Sequence, residues 1–251
     1  MVKIVIQGIS GRMGQALCRL IDARNDCTVV AGIDLQANEQ AVPPVYASLY
    51  DMKEEADVLI DFSSPAATAK SIAYCAEKHL PCVVCTTGLD ETTEQALKAL
   101  SAQVAVFKSA NMSLGINLLI ELARTATQML GLDYDIEIIE KHHHNKVDAP
   151  SGTALMIADE INDAANNAYT YVYDRSKVRQ PRDKHELGLH AVRGGSIVGD
   201  HDVLFCGPDE VITISHSAAS REVFANGAVN AAVFLAGKPA GMYTMKDMIQ
   251  K

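Results

Sequence analysis

The stretch VKIVIQGISGRMGQALCRLIDA (2–23) decides the fold. Val2 to Gln7 is a β-branched run that ends at a glycine, as a buried strand does. From Arg12 to Ala23 the apolar residues Met13, Ala16, Leu17, Leu20 and Ile21 return at helical spacing. Between the two, Gly8-Ile9-Ser10-Gly11-Arg12-Met13-Gly14 turns the chain. Glycines in such a turn let backbone amides approach a pyrophosphate, which then rests on the positive end of the helix. The spacing is GxxGxxG rather than GxGxxG, so the bare motif also suits a glycine turn that binds nothing. Context strengthens the dinucleotide reading: Asp34 ends the next strand twenty residues after Gly14, where a carboxylate can accept hydrogen bonds from the adenine-ribose hydroxyls.

Working outward, strand patterns recur at Thr28–Asp34, Val58–Phe62, Cys82–Thr86 and Gln103–Lys108. Helical stretches separate them, one running to about Glu77 and one over Asp90–Ser101. This alternation predicts an α/β domain with a Rossmann-like, doubly wound parallel sheet. Ligands of such sheets gather at the carboxyl ends of the strands. There lie Cys85-Thr86-Thr87-Gly88 and Ser109-Ala110-Asn111-Met112, each a candidate border of the cofactor and each, alone, also readable as a plain polar turn. Asp34 is followed by Leu35 and Gln36, so no adjacent cation offsets a 2′-phosphate, which favours NADH over NADPH. Arg12, in the glycine turn, is the cation that could still reach such a phosphate.

The pattern changes after residue 113. Leu114–Leu130 reads as one long helix stopped by Gly131, and Tyr134–His144 as a strand with Ile136, Ile138 and Glu140 on one face. Asp148-Ala149-Pro150-Ser151-Gly152 is turn chemistry, with a helix over Thr153–Ala165. Strands at 187–193, 196–206 and 210–217 follow one another closely, which predicts a second, α+β domain with a mixed or antiparallel sheet. Arg221–Ala236 is helical, and the tail ends in an amphipathic turn. The segment from Asp174 to Lys184 holds Arg175, Lys177, Arg179, Arg182 and Lys184; it reads as a solvated loop or as a flap over an anion.

Composition narrows the function classes. The 251 residues include 22 basic and 31 acidic side chains, a net charge of −9, which disfavours binding to nucleic-acid backbones. No apolar run reaches the roughly 18 residues of a membrane span. The start, Met1-Val2-Lys3-Ile4, runs straight into a strand without a signal-peptide pattern, so a cytoplasmic location is expected. The six cysteines sit mostly in apolar runs, and Cys82 and Cys85, despite CxxC spacing, read as core residues of a strand.

The densest chemistry lies in EKHHHNKVDAPSGT (140–153). Three histidines and two lysines within residues 141–146 repel one another unless a metal, an anion or solvent accommodates them. A metal site lacks companion ligands in the surrounding pattern. A solvated loop is one reading; an anion-binding catalytic site is the other, since histidine exchanges protons near neutrality and lysine holds carboxylates. Ser151-Gly152-Thr153 opens a helix whose free amides offer a second carboxylate site, so the segment suits a small dicarboxylate.

These residues resemble a known family. KHHHNKVDAPSGTAL (141–155) is similar to the signature of 4-hydroxy-tetrahydrodipicolinate reductases, or dihydrodipicolinate reductases, of bacterial lysine biosynthesis. GISGRMG, Asp61-Phe62-Ser63, CTTGL, SANMSLGINLL (109–119), RGGSIVGDHDVLF (193–205) and SREVFANGAV (220–229) look like the same family in the same order. The resemblance implies NAD(P)H-dependent reduction of the cyclic product of aspartate semialdehyde and pyruvate to tetrahydrodipicolinate, with loss of water. It implies His142 as proton donor and acceptor, Lys146 as proton donor, and His143, Gly152 and Thr153 as substrate contacts. It implies cofactor contacts at Gly8, Ile9, Ser10, Gly11, Arg12, Met13, Asp34, Cys85, Thr86, Thr87, Ser109, Ala110, Asn111 and Met112. It further implies a discontinuous dinucleotide domain, 1–112 with 221–251, a substrate and tetramerisation domain over 113–220, and a homotetramer. Two positions depart from the family pattern: Cys85 stands where glycine is common, and Leu35 where many members carry a basic residue. Another dehydrogenase acting on an open-chain aldehyde or hydroxy acid, or a non-turning-over NADH sensor, would share the glycine turn without needing the histidine–lysine–SGT cluster.

Overall fold

A computed structural model describes residues 1–109 and 111–249. The chain divides into two compact units, Met1–Leu114 with the chain from Glu222 onward, and Gly115–Arg221. In chain order the first unit contains β1 (Val2–Gln7), α1 (Arg12–Asp22), β2 (Cys27–Ile33), β3 (Val45–Tyr46), β4 (Val58–Asp61), α2 (Pro65–Lys78), β5 (Cys82–Val84), α3 (Glu91–Leu100) and β6 (Ala105–Lys108). Helix α4 (Leu114–Leu130) leads into the second unit, which holds β7 (Asp135–His142), α5 (Gly152–Ala164), β8 (Thr170–Val172), β9 (Glu186–Arg193), β10 (Asp200–Cys206) and β11 (Val211–Ser217). The chain then returns to the first unit with α6 (Glu222–Leu235), β12 (Gly241–Tyr243) and α7 (Met245–Ile249).

The first unit's sheet runs β12-β6-β5-β4-β1-β2-β3, and every pairing in it is parallel. Ile4, Val5 and Ile6 of β1 are all fully buried, because a central parallel strand is covered on both faces. Leu17 and Ile21 of α1 and Val229 and Leu235 of α6 pack with Ile4 and Ile6. On the opposite face Ile72 and Cys75 of α2 and Leu97 and Leu100 of α3 pack with Val5 and Leu59. From β1 the chain winds outward in two directions, so the strand order reverses between β1 and β4. That switch point opens a crevice at the carboxyl ends of the two strands.

The second unit's sheet runs β11-β10-β7-β9-β8 and is mixed: β10 is antiparallel to β7 and β11, whereas β9 is parallel to β7 and β8. The closely spaced strands β9 and β10 do not pair, because β7 lies between them. Strand β7 buries every second residue, Ile136, Ile138, Glu140 and His142. Ile116, Leu119, Ile120 and Ala123 of α4 and Ala154, Ile157, Ala158 and Ile161 of α5 cover this face. Pairing register assigns Glu137, Ile139, Lys141, His190, Val192 and Leu204 to the other face.

Several boundaries differ from the sequence expectation, each for a local reason. Strands β3, β8 and β12 are two or three residues long, too short to show a period. Strand β7 stops at His142 rather than His144, where the Gly194 amide donates to the His142 carbonyl (2.9 Å) and the His144 amide to the Gly195 carbonyl (3.2 Å). Gly195, at φ +51°, turns the chain here, so β10 begins at Asp200 rather than 196. In the basic segment, Arg182 donates to Asp135, Glu137 and the Ile136 carbonyl, and Arg175 pairs with Glu186. Two of the five cations thus strap the segment to the sheet, while Lys177, Arg179 and Lys184 stay exposed. No helix among the described residues is long and apolar enough to cross a membrane.

Candidate active site

In the first unit the glycine turn joins β1 to α1 at the switch point. Gly8 has φ +84°, and a Cβ there would stand 2.6 Å from the Phe62 carbonyl oxygen. A Cβ on Gly14 would stand 2.3 Å from the Gly8 oxygen, so the helix can lie against the turn only without one. Gly11 caps α1 with no side-chain bond, leaving the first-turn amides to be met by a ligand or solvent. Asp34 faces this turn: its carboxylate accepts from the Ser10 amide (2.9 Å) and the Leu35 amide (2.7 Å). A cleft of about 630 Å³ lies alongside, bordered by Gly8, Ser10, Gly11, Asp34 and Leu35 and by Ser48, Tyr50, Ser63 and Lys70. The cradle of closely approached glycines and the facing carboxylate fit a dinucleotide.

Not every expected cofactor residue lines this cleft. Ile9 is buried under Gly32, and Met13 packs on the core, so both serve the turn from beneath. Arg12 is exposed on the first turn of α1. Thr86 turns its hydroxyl inward, donating to Asp61 Oδ1 (3.1 Å) and accepting from the Ser63 amide (3.1 Å). Cys85 is half-buried, with its amide donating to the Asp61 carbonyl (2.9 Å), and Thr87 is exposed. Ser109 donates to the Asn111 carbonyl (2.9 Å), Asn111 Oδ1 accepts from the Ser113 amide (2.8 Å), and Met112 is a core residue. Ala110 lies outside the described residues. Asp61, fully buried at the end of β4, ties the 61–63 and 85–87 turns together. Burial pushes its carboxyl above the ordinary range, against the donors Ser63, Thr68 and Thr86.

In the second unit the centre is Glu140, on the buried face of β7 and fully inaccessible. Arg193, at the end of neighbouring β9, forks onto it with two bonds (2.6 and 2.7 Å). The Ser151 amide donates to Oε1 (2.9 Å), and His142 Nδ1 lies 2.6 Å from Oε2. Burial works against the charged carboxylate, but the bonds from Arg193, His142 and Ser151 outweigh it and hold Glu140 below its ordinary range. Removing one partner of a buried pair of this kind typically destabilises by about 3–5 kcal/mol. The His142 ring also meets His201 edge-on, with centroids 5.3 Å apart. Burial, followed by the nearby His142, pushes His201 down to about 4, so it is neutral at physiological pH.

Ser151 links this cluster to α5. Its hydroxyl oxygen accepts from the Ala154 amide (3.1 Å) as the helix cap and lies 3.2 Å from His201 Nε2. Gly152 and Thr153 form the first turn just beyond. Lys146 pairs with Asp148 (2.8 Å). That bond holds the Asp148 carboxyl below its usual range; burial opposes it, and the amides of Asp148 and Gly152 add to it. His143 stands 3.5 Å from Arg221 Nη2, and burial, then the Arg221 charge, lowers its affinity for a proton. His144 is exposed. Among the described residues no three His, Cys, Asp or Glu side chains converge as a metal ion would require.

The sequence pattern gave no role to Glu140 beyond its place on an apolar face, and none to Arg193, Asp61, Lys70 or Arg221. A carboxylate spaced with Ile136 and Ile138 is itself the signal for a buried, partnered acid. Arg193 and Arg221 lie in segments that resemble the family, but nothing local marks Glu140 or His143 as their partners across the chain.

Residues 2–112 match the family described as "Dihydrodipicolinate reductase, N-terminus", and residues 115–249 match "Dihydrodipicolinate reductase, C-terminus". The chain belongs to the dihydrodipicolinate reductase family. The 4-hydroxy-tetrahydrodipicolinate reductase of Caldanaerobacter subterraneus subsp. tengcongensis is 49% identical over 254 residues, covering 100% of this chain and 99% of that one. That of Clostridium tetani is 47% identical over 249 residues, with 99% and 97% covered. The fold of the dipicolinate-bound dihydrodipicolinate reductase from Paenisporosarcina sp. TG-14 superposes with a TM-score of 0.78 at 22% identity, over 97% of each chain. The reductase family's dinucleotide-binding half therefore corresponds to the all-parallel sheet, and its C-terminal half begins within α4.

Proposed function

We infer that this reductase converts 4-hydroxy-tetrahydrodipicolinate to tetrahydrodipicolinate, with loss of water, in the diaminopimelate route to lysine. The observation that carries the reading is the second unit's cluster. A proton-exchanging His142 at the end of β7, a cationic Lys146 on the loop that follows and the first turn of α5 at Gly152 and Thr153 lie within twelve residues of chain. A cyclic dicarboxylate needs such a set: amides and cations for its carboxylates, and a proton for the ring as it is reduced. His143, Gly152 and Thr153 hold the carboxylates in this reading, while His142 and Lys146 supply the proton and stabilise developing charge. The reductase from Paenisporosarcina, whose structure holds dipicolinate, is a dicarboxylate-bound relative of the same fold.

A nicotinamide dinucleotide held at the switch point supplies the hydride. Gly8, Ser10 and Gly11 bring their backbone to its pyrophosphate, and Asp34, steered by the Ser10 and Leu35 amides, accepts from its ribose. Ile9, Arg12 and Met13 complete the turn, and Cys85–Thr87 with Ser109, Asn111 and Met112 border the nicotinamide end. NADH is preferred: Leu35 is almost wholly exposed and offers a 2′-phosphate no charge. Lys70, bordering the same cleft, and Arg12 keep NADPH usable.

One assay tests substrate and cofactor together. Pyruvate and aspartate semialdehyde are condensed by the preceding synthase, and absorbance at 340 nm is followed with NADH or NADPH. Oxidation is expected only with synthase present, with kcat/KM for NADH at least equal to that for NADPH. Oxidation with open-chain aldehydes alone would replace the substrate assignment, and a tenfold NADPH advantage would overturn the preference.

Homotetramer formation through the uncovered face of the second unit's sheet completes the proposal. Its support is that α4 and α5 cover only the Ile136–Ile138 face, leaving Ile139, Val192 and Leu204 opposite. Light scattering should give about four times the 27.0 kDa chain mass; a monomer mass would dismiss the assembly. The proposed site of action is the cytoplasm, in keeping with six unpaired cysteines.

A further inference from the structure

We propose that Glu140 is the positioning residue of the active site: it fixes the tautomer of His142, so that Nε2 is the atom that exchanges a proton, and ties that ring to the start of α5. The inference rests on the reading above only in placing substrate beside His142.

The tautomer follows from the inventory of donors. Arg193 cannot accept a hydrogen bond, and neither can the Ser151 amide, so both oxygens of Glu140 are engaged as acceptors. An ionised carboxylate has no proton to give. The 2.6 Å contact with His142 Nδ1 therefore needs the proton on the ring nitrogen. In the neutral ring Nε2 is left bare and basic; in the charged ring Nε2 carries the transferable proton.

The surroundings keep that arrangement. The two-pronged grip of Arg193 stops the carboxylate from rotating. Arg193 also donates to the Asp148 carbonyl (2.6 Å), so the same guanidinium fixes the loop that carries Lys146. Nε2 faces Gly199, where a Cβ would stand only 3.0 Å away, so the missing side chain leaves that nitrogen room. Through its amide Ser151 binds Glu140 Oε1, and through its hydroxyl it caps α5. One carboxylate thus sets the register between the proton-exchanging ring and the amides of Gly152 and Thr153.

The test is a double-mutant cycle with Glu140→Gln and His142→Ala, read by kcat, by KM and by NADH binding. Glutamine presents a donor where Arg193 and Ser151 also donate. Glu140→Gln alone is expected to lower kcat about 100-fold or more, as mis-set histidine tautomers do, with the NADH dissociation constant unchanged. In the His142→Ala background the same change should cost under about threefold, because there is no ring left to position. A loss of about 100-fold in both backgrounds, or none in either, overturns the proposal.

If Glu140→Gln does not fold, the unaltered protein decides. Nitrogen NMR of histidine-labelled enzyme should show the neutral His142 ring protonated at Nδ1 and bare at Nε2. The opposite tautomer refutes the assignment. Failure of the unaltered enzyme to turn over the cyclic substrate would instead strike the reductase reading and leave this measurement standing.

Discussion

Lys146→Ala is expected to lower kcat by about 10²- to 10⁴-fold, the usual scale for a lost proton donor, and His142→Ala by a similar factor. The two losses have different physical origins. Lys146 is a compact ammonium on a flexible stem, tied to Asp148 at 2.8 Å. A substrate carboxylate or a developing negative charge competes with Asp148 for it. In the proposed reaction the ammonium acts where charge appears during reduction rather than in the resting enzyme. His142 is buried and anchored at Nδ1, and in the proposed reaction it exchanges protons at one atom. The Lys146–Asp148 pair contributes little to stability, because Asp148 is largely exposed and such pairs are worth about 0–1 kcal/mol. The thermal midpoint of Lys146→Ala should therefore stay within about 2 °C of the parent while kcat collapses. Steady-state kinetics and a melting curve on one preparation check both halves. An unchanged kcat would remove Lys146 from the chemistry, and a collapsed midpoint would make the kinetic loss uninformative.

How far the molecule could be read from its residues follows from the range of the forces involved. The parallel sheet of the first unit was legible because burial on both faces writes continuous apolar runs, as in Ile4-Val5-Ile6 and Val58-Leu59-Ile60. The insertion of β7 between β9 and β10 was not, since pairing partners carry no local mark. In the glycine turn, steric need picks the residue, and Gly8 and Gly14 are forced by approaches of 2.6 and 2.3 Å. Thr86 shows the opposite case: its place after β5 was evident, but not that its hydroxyl turns toward Asp61. Glu140 lay in plain view on an apolar face, yet its counter-charge, Arg193, sits 53 residues later. Chemistry written within a few residues, as in 141–153, can be read; chemistry assembled across strands needs the fold.

Gly227→Ala should be among the most damaging single changes in the first unit, although helix propensity argues the other way. Gly227 lies inside α6, where replacing glycine by alanine usually gains about 1 kcal/mol. Here a Cβ would fall 1.7 Å from the Met112 carbonyl oxygen and 3.3 Å from the Met112 side chain. Neither neighbour can yield easily. Met112 is buried in the core cluster, and Ala228 and Val229, on the same helix, are fully buried. Overpacking against backbone typically costs about 1–3 kcal/mol, and this overlap belongs at or beyond the upper end. The net loss of about 2 kcal/mol or more should lower the urea midpoint of unfolding clearly, by about 1 M for a slope near 2 kcal/mol/M. The displaced carbonyl belongs to the Ser109–Met112 segment, so what survives folding should bind NADH more weakly while Lys146 and His142, on the other unit, are untouched. KM for NADH should then rise with little change in kcat at saturation. A midpoint equal to the parent's would mean that α6 slides away from Met112 at no cost, and that the close approach is not what sets this glycine.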